Sequence, residues 1–283
     1  MNRLLPVALL ACAFWSCNKT EQIPAYVRVE PFVVDEPGGA AEHTFAEGWF
    51  FAGTSFLGAY TLPGDIPVLA EGSQKLLVFP GVKENGITLT PNIYPMMQWH
   101  IETKTLTPGA TTTVTPRVSY LPEVSFAWSP ARGSFDSISS VVMENRDNDQ
   151  TYNFVISNVD GFSGKYMEMK ADTAHPIMEV LFEAAKDLPT VQERQTWLEI
   201  HHQNELPLQL FLLGQTPGED DEFIQVFLFN PSAEWNKLYL NLTEYLVFRP
   251  HESYRLLLRL NISDQTSLVS GKARVDNVRI VHF

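Results

Sequence analysis

Residues Gly48 to Gly81 read GWFFAGTSFLGAYTLPGDIPVLAEGSQKLLVFPG, and this stretch decides the fold class. Trp49-Phe50-Phe51 and Phe56-Leu57 are short apolar runs rich in ring side chains, which suit a pleated surface better than a helix. Ala52-Gly53-Thr54 lies between them, and its glycine is free to take the positive φ that a tight reversal needs. Pro63 and Pro67 keep the next connection out of a hydrogen-bonded ladder, and Gly72 returns the chain into Lys75-Leu76-Leu77-Val78-Phe79. The stretch therefore reads strand, turn, strand, loop, strand.

On its N-terminal side, Tyr26-Val27-Arg28-Val29 reads as a first strand and Pro37-Gly38-Gly39 as a loop. On its C-terminal side, Asn85-Gly86 predicts a further hairpin turn. Residues 99–106 and 111–120 predict two strands joined as a hairpin by Thr107-Pro108-Gly109-Ala110. In the first of these, Trp99, Ile101 and Thr103 alternate with His100, Glu102 and Lys104, which predicts that the apolar set is buried. A first β-sandwich is thus expected over residues 26–122, followed by a packed connection over 123–140.

From Val141 onward, eight strand-like segments recur at short spacing, among them Thr196–His202, Pro207–Leu213, Phe223–Phe229, Tyr254–Asn261 and Ala273–Phe283. Their number and spacing predict a jelly roll over 141–283. Ile177 to Leu188 fits either a strand or a helical face, and the surrounding β pattern favours a strand for its first part. The expected fold is all-β, with two tandem β-sandwich domains of which the second is a jelly roll.

Two resemblances follow from these segments. The order of apolar strand, glycine turn, Gly58, proline and Glu71-Gly72 before another apolar strand resembles the PEGA-type module of bacterial surface proteins. The second half resembles jelly-roll carbohydrate-binding modules and galactose-binding-like domains. The residues that carry this are Gly161 to Tyr166, Trp197-Leu198-Glu199-Ile200, Glu234 to Leu240 and the closing Val275-Asp276-Asn277-Val278. Both resemblances imply fold and setting, and the second implies glycan as the ligand class.

The N-terminus sets the compartment. Arg3, the apolar run Leu4 to Trp15 and Ser16 before Cys17 have the layout of an export signal, too short in its apolar part to span a bilayer. It resembles the signal of bacterial lipoproteins, which implies removal of residues 1–16, acylation of Cys17 and a tether over 17–25. The polar run after Cys17 resembles that of Bacteroidota lipoproteins displayed on the outer membrane. Leu9-Leu10-Ala11-Cys12 matches the usual lipobox better, but cutting there leaves a short core broken by Pro6 and puts Ala13-Phe14-Trp15 in the tether. An ordinary secretory signal with two incidental cysteines is the other alternative. With 33 acidic against 20 basic residues, the formal charge is −13, which argues against binding nucleic acid or an anionic surface through general electrostatics. With one cysteine in the signal and the other acylated, no internal disulfide is expected.

Catalytic patterns are lacking. His201 and His202 are adjacent in a strand and point to opposite faces, unlike the two histidines one helical turn apart of a zincin. There is no Gly-x-Ser-x-Gly elbow and no phosphate-binding glycine loop. A structural calcium ion is a candidate cofactor on the oxygens of Asp147, Asp149 and Asp276, against the plainer reading of a solvated turn and a strand-end acid. For ligand binding, strand alternation predicts one polar face carrying Gln209, Tyr239, Asn241, Arg255 and Arg259, with Gln225 and Glu199 beside them. Amides and guanidinium groups next to a ring suit sugar hydroxyls and C–H faces. An ordinary polar outer sheet explains the same alternation. The expected role is a non-enzymatic, envelope-anchored module that binds glycan. The alternative is a structural subunit that docks on an envelope protein through that sheet or through Tyr94, Met96, Met97 and Trp99.

Overall fold

Alternation along Ala25–Val29 buries Ala25, Val27 and Val29 completely and builds strand β1. The computed structural model describes residues 21–45, 47–87, 89–149, 151–159, 161–263 and 269–283, so the expected acylation at Cys17 lies outside the described residues. After β1 come β2 (Val33–Val34), a one-turn helix α1 (Gly39–Glu42), β3 (Glu47–Ala52), β4 (Ser55–Thr61) and β5 (Gly64–Val68). Next are β6 (Gly72–Lys83), β7 (Pro91–Ile93), β8 (His100–Leu106), β9 (Thr111–Val114) and β10 (Arg117–Val118). One layer holds the order β5-β1-β9 and the short pair β10-β2. The other is the five-stranded sheet β4-β3-β6-β7, with β8 also on β6. Val27, Ile66, Phe50, Leu76 and Val78 fill the space between them. Gly53, at φ 61, makes the reversal between β3 and β4.

Two local expectations are corrected. Thr107 to Ala110 does not join a hairpin: β8 pairs with β6 in one sheet, and β9 pairs in parallel with β1 in the other. The turn carries the chain from layer to layer. The alternation in β8 is also inverted, since Trp99 and Ile101 are each 45 % exposed while Leu106, in register with His100, Glu102 and Lys104, is buried. The apolar set joins a ring-bearing outer face instead of the core.

The second half contains β11 (Ser125–Phe126), α2 (Pro130–Gly133), β12 (Met143–Asn145), β13 (Val155–Ser157), β14 (Tyr166–Asp172), β15 (Ile177–Phe182) and β16 (Ala185–Lys186). It continues with β17 (Thr196–Asn204), β18 (Leu208–Gln215), β19 (Glu222–Phe229), β20 (Ser232–Asn241), a short helix α3 (Thr243–Phe248), β21 (Ser253–Asn261) and β22 (Ser270–His282). The ambiguous segment from Ile177 is a strand. Two sheets stack, β13-β14-β22-β17-β20 and β12-β15-β21-β18-β19. Leu198, Ile200, Val275 and Ile280 of the first meet Leu208, Leu210, Leu256 and Leu258 of the second. The connection joins this sandwich, because β11 pairs with the end of β22.

The halves meet along β20, an edge strand of its sheet. Glu84 bridges Tyr239, the Asn85 amide donates to the Tyr239 carbonyl at 2.9 Å, and the Asn241 amide donates to Asn85 Oδ1 at 3.0 Å. The Asn241 side chain also donates to Glu84 Oε1 at 2.8 Å. The turn after β6 thereby occupies backbone groups that a bare edge would leave open to another strand.

Candidate binding cleft and the polar seam between the sandwiches

In β17 the outward positions are Trp197, Glu199 and His201; in β20 they include Lys237, Tyr239 and Asn241, and in β22 Arg279 and Val281. This face packs on the first sandwich, and Trp197, Tyr239 and Val281 belong to the same apolar cluster as Phe45 and Tyr94. Four charged side chains share the seam. Glu199 is fully buried and accepts from the Tyr94 and Tyr120 hydroxyls, both at 2.6 Å on Oε1, and from Lys237 Nζ at 2.5 Å on Oε2. Lys237 also donates to the Glu42 carbonyl at 2.9 Å. Arg279 pairs with the Glu42 carboxylate, donates to Asn277 Oδ1 at 3.2 Å and lies 3.9 Å from Glu199. Two acids and two bases thus balance in a largely buried place, Glu42 coming from the first sandwich and Glu199, Lys237 and Arg279 from the second.

Burial alone would raise the Glu199 carboxyl, but Lys237 and Arg279 outweigh it and hold the group far below the usual carboxylate range. Burial lowers Lys237 to about 8 against the pull of Glu199. Burial also takes His43 down to about 3 and His201 to about 2, so both rings are neutral at pH 7. His201 stacks on Phe162 with centroids 4.1 Å apart, and His202 is held by Asn204 at 2.7 Å. Both histidines are therefore spoken for by packing. Tyr94, Tyr120 and Tyr239 are pushed up by burial and by the Glu199 charge, which keeps their hydroxyls protonated, those of Tyr94 and Tyr120 as donors to Glu199.

At one end of the seam the two sandwiches part to leave a cleft of about 570 Å³. Glu47, Gly81 and Lys83 line it from the first sandwich, and Phe227, Trp235 and Asn236 from the second, with Lys237 and Tyr239 also in its wall. It opens where the edge strands β19 and β20 of the two stacked sheets come together. Trp235 is half-buried, with its ring 5.9 Å from those of Phe162 and Tyr166. Asn236 donates to Ser232 Oγ at 2.6 Å and to the Glu234 carbonyl at 2.9 Å, which fixes the orientation of its amide. A ring face, amides, one carboxylate and two lysines make a surface for a polar ligand with C–H faces. Among the lining residues described, Glu47 is the single carboxylate, so the cleft presents no facing pair of acids.

The five residues expected on one polar face are divided between two sheets. Gln209, Arg255 and Arg259 lie on the outside of the sheet containing β18 and β21. Tyr239 and Asn241 lie on β20 in the other sheet, against the first sandwich. Alternation assigns a side of a strand, but not the sheet to which the strand belongs. The two arginines are engaged where they stand: Arg255 with Glu144 at 2.6 Å and the Phe182 carbonyl at 2.7 Å, Arg259 with Glu179 at 2.5 Å and 4.8 Å over the Phe211 ring. Their stems cover Leu181, Leu213 and Leu257, which form a small apolar cluster of their own with Phe211. Of the residues proposed for protein docking, Tyr94, Met96 and Met97 are buried in the first core, and Trp99 is exposed.

The calcium candidates do not converge. Asp147 Oδ1 caps the Asp149 amide at 2.8 Å, and Asp149 Oδ1 binds the Thr151 amide at 2.9 Å, as in a chain of turns. Asp276 is fully buried on β22, its Oδ1 accepts from the Asn277 amide at 2.6 Å, and burial pushes it up to about 8, with Asp136 and Glu42 as acidic neighbours. Among the described residues no three His, Cys, Asp or Glu side chains gather around one point. No helix among them is long and apolar enough to cross a membrane.

No family model matches the chain, and no curated protein matches it. Solved structures are similar to it at low scores. The enzymatically active domain of bacteriophage CBA120 tailspike protein 4 is similar over 55% of this chain and 21% of its own, at 14% identity and a TM-score of 0.39. The CBM22-1 xylan-binding domain of Paenibacillus barcinonensis Xyn10C is similar over 55% of this chain and 93% of its own, at 11% identity and a TM-score of 0.40. A carbohydrate-binding module of the β-sandwich superfamily is similar over 91% of this chain and 96% of its own, at 12% identity and a TM-score of 0.37. At these scores the likenesses carry no argument about activity; the all-β sandwich assignment rests on the sheets themselves. What sequence reasoning missed is the seam. Alternation sets Glu199 beside the expected polar ligand face and assigns Lys237 no role, and no local signal marks a strand face that another domain will cover.

Proposed function

We propose that the chain is a non-enzymatic, envelope-anchored binding protein that takes a saccharide in the cleft between its two sandwiches. The observation that carries this is the cleft of about 570 Å³, whose volume falls in the range of small-molecule sites and whose wall joins Trp235 and Phe227 to Asn236 and Lys83. The Trp235 ring offers a face for sugar C–H groups, and the amide, ammonium and Glu47 carboxylate offer partners of both kinds for hydroxyls. The polar seam behind the cleft holds both walls in register, so a ligand meets a site that is already formed. A single carboxylate in the wall supports binding without hydrolysis. Acylation of Cys17 on the outer membrane is the anchoring part of the same proposal, and a labelled fatty acid that enters the wild type but not Cys17→Ala tests it.

The cleft is tested by a glycan array followed by titration calorimetry on wild type, Trp235→Ala, Asn236→Ala and the pair Arg255→Ala with Arg259→Ala. Binding that weakens about tenfold or more in Trp235→Ala and persists in the arginine variants is the expected result. Binding lost only in the arginine variants would move the site to the outer face of β18 and β21. No binding at millimolar saccharide by folded protein would overturn the reading.

A further inference from the structure

The outer face of the five-stranded sheet in the first sandwich carries two rows of apolar side chains. Strand register aligns Phe56, Phe51, Leu77 and Ile101 in one row, and Ala59, Trp49 and Phe79 in the next, where Trp99 lies 5.0 Å from the Phe79 ring. Phe56, Trp99 and Ile101 are 49%, 45% and 45% exposed, so nothing among the described residues covers them. Four strands at about 4.8 Å spacing make this patch roughly 15 Å across. A soluble surface seldom keeps a contiguous patch of this kind without a use for it.

The chemistry of the patch selects its occupant. Its rings pack on one another at angles of 45° for Phe51 on Phe56 and 62° for Phe51 on Phe79, so they do not present one flat platform to a sugar chain. The indole nitrogen of Trp49 is buried without a partner among the described residues, and the two rows otherwise hold hydrocarbon and ring edges. Charge is placed at the borders. Lys75, exposed, continues the face at the end where the Gly53 turn meets β6, and Glu47 continues it at the opposite end beside the cleft. The chain enters at the lysine end: Gln22 and Ile23 lie against Leu69 and Pro108 there, and Ile23 and Leu69 are both 67% exposed. Cys17 is four residues before Glu21, a reach of about 14 Å at full extension.

We infer that this aromatic face is a lipid-docking surface, which lays the first sandwich on the bilayer to which Cys17 tethers it. The inference rests on the anchoring reading of Cys17. Tryptophan and phenylalanine settle at the boundary between acyl chains and head groups, where a lysine at the near border meets phosphate. The tether supplies proximity, so a patch too small to bind a membrane from solution can still hold the domain down.

The test uses the acylated full chain in phosphatidylethanolamine–phosphatidylglycerol vesicles, with and without bromine on the acyl chains. Wild type is compared with Trp99→Phe, so that the difference emission reports Trp99 alone. The expected result is loss of the Trp99 signal in brominated vesicles and its retention in plain ones, with the loss abolished in Phe56→Ser/Ile101→Ser while co-sedimentation persists. Co-sedimentation with an unquenched Trp99 would overturn the docking surface and leave the anchor standing. Absence of fatty-acid label and of co-sedimentation would instead fail the anchor. A Trp99 signal that changes with added polysaccharide or with protein concentration, and not with bromine, would assign the face to glycan or to a second copy and overturn the inference.

Discussion

Replacing Glu199 by glutamine changes one atom and removes one charge, at the point where the two sandwiches share their ionic contacts. Geometry makes the outcome specific. Both tyrosine hydroxyls donate to Oε1, so a glutamine carbonyl in that position keeps both bonds. The amide nitrogen then falls where Oε2 received Lys237 at 2.5 Å, and two donors face each other in a site without water. Lys237 retains one acceptor, the Glu42 carbonyl, and its charge is no longer balanced. Breaking a buried ion pair by removing one member costs about 3–5 kcal/mol. At about 2–4 °C per kcal/mol for a protein of this size, the melting temperature should fall by roughly 6–20 °C. Calorimetry and urea titration read this directly. The companion variant Glu199→Gln/Lys237→Met removes the unbalanced ammonium and should recover part of the loss, because apolar replacement of a buried pair is near neutral. A loss under about 1 kcal/mol for Glu199→Gln, or a double variant no more stable than the single one, would refute the seam as a coupled buried network.

Two further outcomes follow from buried groups. Asp276 is protonated in the folded chain up to about pH 8, whereas in the unfolded chain it has already shed its proton above about 3.8, so its burial costs stability as pH rises between those values. Asp276→Asn should therefore gain roughly 1–3 kcal/mol at pH 7 and nothing below about pH 4, as measured by urea midpoints across that range. Gly133, in the short helix α2, has the Val278 carbonyl oxygen 1.9 Å from where a Cβ would stand, and a backbone atom in β22 cannot yield. Gly133→Ala should cost on the order of 3 kcal/mol, and a thermal midpoint equal to wild type would show that α2 moves off β22 freely.

How far the sequence could be read differs by level. The strands were legible because alternation is a property of a few neighbouring residues: β17, β18, β21 and β22 each lie where the pattern predicts them. Which side of a strand meets the core was legible only when the apolar side was the buried one. Leu208, Leu210 and Leu212 satisfied that condition, and Trp99 and Ile101 did not. Sheet membership was harder, since Tyr239 and Arg255 show the same alternation and stand on different sheets. The ionic seam was not legible at all. Its members are scattered between Glu42 and Arg279, and each is unremarkable until strands distant in sequence are brought together.

The turn that occupies the edge of β20 also has a consequence for how the protein is made. Chain segments emerge from the N-terminus, so the residues of the first sandwich precede residues 232–241. The late strand then pairs with Glu84 and Asn85. Cut away from that receiver, the second half would present β20 with open backbone groups beside the uncovered Lys237–Glu199 ion pair, the profile of a fragment that self-associates. The first sandwich is in this sense an assembly template that remains attached to its product.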